Sequence, residues 1–163
     1  MFRRIAGLAG VTSAATAAVL AAAAPAAATI VPGYHMIQDR DWALCLDVLG
    51  AKDYNGAPVG VWHCVGAVNQ QWSMEPTGTG WSRLRVQHTG KCLTAQSTGN
   101  GATIVQDVCE DRLTQQWLAF DGRDGWSKLS LRAAPDKCLD KNGWGSTIWT
   151  CQTVKWQEWN SLG

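Results

Sequence analysis

Asn69-Gln70-Gln71-Trp72 returns, with variation, as Thr114-Gln115-Gln116-Trp117 and again as Trp156-Gln157-Glu158-Trp159. Each Gln-x-Trp lies downstream of a Cys-Leu pair: Cys45-Leu46, Cys92-Leu93 and Cys138-Leu139. Whole units of roughly 40 to 46 residues therefore recur, not isolated tripeptides. A second register mark agrees, because Gly80-Trp81-Ser82-Arg83-Leu84 reappears as Gly125-Trp126-Ser127-Lys128-Leu129. The chain is one supersecondary unit written three times.

Working outward within the first unit, Tyr34 to Ile37 reads as a strand and Asp39-Arg40-Asp41 as a turn. Leu44 to Val48 is a second strand, Gly50 to Gly56 a loop, Pro58 to Trp62 a third strand and Asn69 to Met74 a fourth. The order repeats through Leu84, Val86 and Ile104-Val105, and again through Leu129, Leu131 and Ile148. No window carries a helical stripe, and glycines interrupt each candidate. Three units of about four short strands predict an all-β closed or capped barrel, with a β-trefoil of about twelve strands as first choice. Closure on itself hides the strand edges that an open sheet exposes.

Phe2-Arg3-Arg4, the Ala-rich apolar run and Ala26-Ala27-Ala28 read as a secretory signal peptide over residues 1–28. The domain is then 29–163. An uncleaved anchor is the alternative, weakened by the dominance of Ala and by Pro25, and no later stretch approaches spanning length. Setting Arg3 and Arg4 aside from the 14 basic residues leaves slightly fewer than the 13 acidic ones. Charges of that balance, scattered along the chain, argue against a nucleic-acid partner. Ten tryptophans offer stacking surface, but no basic groove accompanies them.

All six cysteines follow the signal, in a compartment where disulfides persist. Spacing alone does not choose a pairing. The repeat does: each unit owns two cysteines, so symmetry favours Cys45 with Cys64, Cys92 with Cys109 and Cys138 with Cys151. Each bridge closes a short loop, worth about 3 kcal/mol in the chain-entropy picture. No Cys-x-x-Cys and no metal-ligand spacing of His35, His63 and His88 occurs, so neither a metal nor another cofactor is expected.

With these features in hand, the chain resembles the ricin B-chain type of β-trefoil lectin domain from Tyr34 to Trp159. The carriers are the three Gln-x-Trp signatures, Cys45-Leu46-Asp47-Val48, Lys91-Cys92-Leu93-Thr94, Lys137-Cys138-Leu139-Asp140 and Pro58 to Cys64. The resemblance implies a trefoil with its Gln-x-Trp tryptophans in the core and one sugar pocket per repeat. Such a pocket needs a carboxylate to accept from hydroxyls, a flat aromatic against the sugar's apolar face, and amides to fix orientation.

By that resemblance, repeat one supplies Asp47, Trp62, Asn69 and Gln70 for sugar, and departs at Gly60, where the family often has Gln. Repeat two lacks the set: Thr94 replaces the acid, Asp107 the aromatic and Thr114 the Asn, with Gln106 a possible slipped substitute for the polar residue. Repeat three keeps Asp140, Trp149 and Gln157 but carries Trp156 in place of Asn. Its shortened loop holds Trp144, either a second aromatic wall or a cover for the barrel.

These readings point to a secreted, non-catalytic lectin for galactose-type or pentose sugars of glycans or polysaccharides, its oligomeric state unspecified. A trefoil that binds protein, as an inhibitor or toxin accessory with vestigial sugar sites, is the alternative. Acid pairs at Asp39 and Asp41, Glu110 and Asp111, and Asp121 and Asp124 raise a glycosidase. Their turn-like, charged surroundings favour solvated turns instead.

Overall fold

The computed structural model describes residues 33–162. The signal peptide expected at 1–28 lies outside the described residues. Each unit contributes four strands. Repeat one gives β1 (His35–Asp39), β2 (Cys45–Val48), β3 (Ala57–Trp62) and β4 (Gln71–Pro76). Repeat two gives β5 (Ser82–Val86), β6 (Cys92–Ala95), β7 (Ile104–Asp107) and β8 (Trp117–Asp121). Repeat three gives β9 (Ser127–Leu131), β10 (Ala134–Asn142), β11 (Gly145–Thr150) and β12 (Trp159–Leu162).

The first and last strands of the units form a closed antiparallel ring. β1 pairs with β4, β4 with β5, β5 with β8, β8 with β9, β9 with β12, and β12 returns to β1. The middle strands make hairpins, β2–β3, β6–β7 and β10–β11, that cap one end of this ring. The hairpins touch one another, since β3 pairs with both β7 and β11. This is the β-trefoil that the repeat predicts.

Alternation explains the core. In β5, Ser82, Leu84 and Val86 are buried while Arg83 and Arg85 turn outward. Trp72, Trp117 and Trp159 lie almost wholly buried among Leu46, Leu93, Leu131 and Leu139. Each indole N–H also needs an acceptor in that setting. Trp72 donates to the Leu46 carbonyl at 3.0 Å, Trp117 to Leu93 at 3.0 Å and Trp159 to Leu139 at 3.1 Å. Every Cys-Leu pair thus supplies the acceptor for the Gln-x-Trp of its own repeat.

Three disulfides join Cys45 to Cys64, Cys92 to Cys109 and Cys138 to Cys151, the pairing that the symmetry of the units favours. One boundary differs from expectation. The fourth strand was expected from Asn69, but Val68–Gln70 is a 3-10 turn and β4 starts at Gln71. Equivalent turns at Leu113–Gln115 and Lys155–Gln157 precede β8 and β12. The turn is imposed by side-chain bonds, which draw Asn69 and Gln70 inward and are invisible to strand alternation.

Candidate functional site

Asp47 stands on β2 opposite Gly60 of β3 and lines a cleft of about 550 Å³. Asp47, Trp62 and Asn69 line it with Leu49, Gly50 and Trp144. Three of the four residues expected for repeat one therefore face a common space. Trp62 sits half-exposed at the end of β3, fixed by its register with the disulfide-bonded Cys45. Asn69 reaches from the 3-10 turn and donates to the Val48 carbonyl at 3.2 Å.

The fourth residue, Gln70, has no exposed surface and stands behind the cleft. Its Nε2 donates to Asp47 Oδ2 at 2.8 Å and to the His63 carbonyl at 2.8 Å, while its Oε1 accepts from Val65 N at 2.9 Å. Gln70 thus positions Asp47 and spans the chain on either side of Cys64. Burial pushes the Asp47 carboxyl above its ordinary value, opposed by the hydrogen bonds from Gln70 and Asn69 and by the charge of His88. A buried carboxylate that lines the cleft, held by Gln70 and next to an open indole face, can accept sugar hydroxyls while the ring's apolar side stacks.

Trp144, read from the sequence as either an aromatic wall or a cover for the barrel, is a wall. It belongs to repeat three, yet it walls the cleft of repeat one, its ring centroid 5.1 Å from that of Trp62. The short β10–β11 hairpin turns through Gly143 and Trp144, with Gly143 at φ 59°, and its tip reaches across to β3. There Val61 N donates to the Trp144 carbonyl at 2.9 Å, and Ser146 Oγ to the Val59 carbonyl at 2.7 Å. Gly60 makes the approach possible. A Cβ at that position collides with the Trp144 carbonyl oxygen and stands 3.2 Å from Gly145 Cα and 3.0 Å from Leu49 Cδ1. The departure from Gln is the seat of a neighbouring hairpin.

Repeat three repeats the carboxylate geometry. Gln157, again without exposed surface, donates to Asp140 Oδ2 at 2.8 Å and to the Thr150 carbonyl at 3.2 Å, and accepts from Gln152 N at 2.7 Å. Burial raises the Asp140 carboxyl, against the bond from Gln157 and the charge of Lys141. Trp149 is about half exposed. Sequence reasoning passed over Thr147, which faces Asp140 across the hairpin and whose buried Oγ1 has no hydrogen-bond partner among the described residues. Its place four residues before Cys151, matching Gly60 before Cys64, was the available signal.

Repeat two keeps the glutamine arrangement, with Thr94 in place of the acid. Gln115 donates to the Val108 carbonyl at 2.7 Å and to Thr94 Oγ1 at 3.0 Å, and accepts from Glu110 N at 2.7 Å. Asp107, where an aromatic is expected, pairs with Arg112 at 2.8 Å, and the bond from Arg112 holds its carboxyl below the usual range. Gln106, the slipped substitute of the sequence reading, is engaged with other partners. It pairs with Leu93, not Thr94, is fully buried, and donates to the Lys52 and Tyr54 carbonyls at 2.7 and 3.3 Å while accepting from Thr89.

Five of the six acids in these pairs have structural employment. Asp39 accepts from the backbone N–H groups of Asp41, Trp42 and Leu44 at 2.9, 2.8 and 2.7 Å, and Asp41 pairs with Lys141 at 3.0 Å. Glu110 pairs with Arg112, Asp111 with Arg83 and Asp124 with Arg40. Among the described residues no group of His, Cys, Asp and Glu is placed to hold a metal, and no helix is long and apolar enough to cross a membrane.

Comparison with known proteins agrees with this fold. The family model of the ricin-type beta-trefoil lectin domain matches residues 33–159. Nigrin b of Sambucus nigra is 36% identical over 73 residues, which is 45% of this chain and 12% of that protein. A seed lectin of Trichosanthes anguina is 33% identical over 85 residues, 52% of this chain and 15% of the lectin. The chain thus spans only a small part of these relatives. Among solved structures, the designed 3-fold symmetric protein ThreeFoil superposes with a TM-score of 0.76 at 30% identity, covering 80% of this chain and 99% of its own.

Proposed function

The chain belongs to the family of ricin-type β-trefoil lectin domains, and from that membership we propose that its function is to bind carbohydrate without altering it. Repeat one is the principal site. Asp47 accepts from adjacent hydroxyls, Trp62 stacks on the apolar face of the ring, Asn69 fixes orientation, and Gln70 holds Asp47 in place. A galactose-type or pentose unit, terminal or in a side chain, is the ligand. Repeat three is a second, weaker site built from Asp140, Trp149 and Thr147, with Gln157 behind Asp140. Secretion fits the three disulfides, which persist in an oxidising compartment.

The observation that carries this reading is the convergence of Asp47, Trp62 and Asn69 on one cleft. Affinity electrophoresis in gels containing galactans, arabinoxylans or other polysaccharides tests it. Retardation of the parent, reversed by free sugar and largely lost in Asp47→Asn, is expected. No retardation on any polysaccharide, or an Asp47→Asn variant retarded like the parent, contradicts it. A protein-binding trefoil draws on Trp156 and on the lost site of repeat two, and a complex with protein that survives saturating free sugar would favour it.

A further inference from the structure

Exposed aromatic surface continues past the repeat-one cleft. Trp144 stands between Trp62, at 5.1 Å and 48°, and Trp42, at 6.1 Å and 63°. The His63 ring lies 5.8 Å from Trp62 and 5.9 Å from Trp144. Trp42, Trp62 and Trp144 remain 52%, 50% and 48% exposed, whereas the Gln-x-Trp tryptophans are buried. Clustered indoles left in water at this cost in apolar exposure mark a binding surface.

These rings come from three segments of two repeats: the β1–β2 turn, the end of β3 and the tip of the β10–β11 hairpin. The fold does not demand them. The hairpin tip is seated through the Trp144 carbonyl and Ser146 Oγ, contacts that any side chain at position 144 permits. Trp42 is nonetheless held firmly. Lys141 Nζ lies 3.5 Å from its ring centroid and bridges to Asp41, while the Asp39 carboxylate ties down the turn beneath it. A cation against the indole fixes a platform before any ligand arrives, which lowers the ordering cost of binding.

Building on the repeat-one reading, we propose that Trp144 and Trp42 form a second subsite, which stacks the next sugar of a chain whose first unit fills the Asp47–Trp62 cleft. The preferred ligand is then an oligosaccharide segment, not a single sugar. A bilayer or a flat protein epitope fits this surface less well, because the ring planes turn by 48° and 63° from one indole to the next. Asp47 at the cleft, His63 against two of the rings and Asp41 beside Lys141 place polar groups among them. Successive tilted rings with polar neighbours suit successive sugars, each with an apolar face and a hydroxyl edge.

Titration calorimetry with β-1,3-galacto-oligosaccharides and xylo-oligosaccharides, from monosaccharide to tetrasaccharide, tests the subsite. Asp140→Asn is the background, so that repeat three does not add avidity. Affinity is expected to rise about tenfold from monosaccharide to di- or trisaccharide, the scale of one good stacking contact. Trp42→Ala should keep the monosaccharide affinity and lose most of that rise, and Trp42→Phe should keep part of it. Equal affinity for all lengths in the parent, or a Trp42→Ala variant that lowers every length alike or none, overturns the subsite. Monosaccharide binding that depends on Asp47 but shows no rise overturns the subsite alone. Absence of binding in both series overturns the repeat-one reading with it.

Discussion

At the scale of single residues, the glutamine of each Gln-x-Trp is a bracket, saturated at both ends of its carboxamide and carrying the acidic or hydroxyl group beside it. The three copies allow its two effects to be separated. Gln115→Ala strands Glu110 N and the Val108 carbonyl in a repeat without a sugar set, so it should cost about 1–3 kcal/mol of stability and leave sugar affinity unchanged. Gln70→Ala should cost a similar amount and also weaken sugar binding about tenfold, because Asp47 loses its support. Thermal denaturation paired with calorimetry reads both. The buried role of Gln70 was not legible in the sequence, where Asn69 and Gln70 look alike as amides. Only the 3-10 turn, which sends one to the cleft and the other behind it, distinguishes them.

At the scale of elements, Gly60 and the β10–β11 hairpin form one device. Gly60→Ala should destabilise the protein by about 1–3 kcal/mol, the range for forcing atoms into a packed site, because the colliding atom is backbone and cannot rotate away. Gly60→Gln should not restore a sugar contact. It should push the hairpin tip off β3, move Trp144 and weaken binding, which a crystal structure or tryptophan emission would detect. The ring strands and disulfides were legible because alternation and the repeat are local signals, visible in Leu84 and Val86 or in Cys92 and Cys109. The neighbour each hairpin would meet was not. Trp144 lies far from Trp62 in sequence, and its contact depends on three hairpins meeting at one end of the ring.

At the scale of the molecule, the ring closes where β1 meets β12, and Glu158 stands at that seam. Burial works against its carboxylate, but bonds from Arg123 at 2.9 Å and Arg40 at 2.8 Å hold it below the usual range. A depressed value means that Glu158 contributes stability above the unfolded carboxyl value and loses it as the pH falls through the folded one. Asp47 and Asp140 are raised, so they have the opposite sign. Their charge costs stability at neutral pH, and the cost lifts as they protonate. In the proposed site sugar binding needs Asp47 ionised, so acidification should abolish binding at a pH where circular dichroism still reports the native fold. The most direct test of the repeat-one site is calorimetric titration of the parent, Asp47→Asn and Asp140→Asn with a polysaccharide that retards the parent in gels. The loss should be at least about tenfold in Asp47→Asn and smaller in Asp140→Asn. An Asp47→Asn variant that binds like the parent would contradict a sugar site in repeat one.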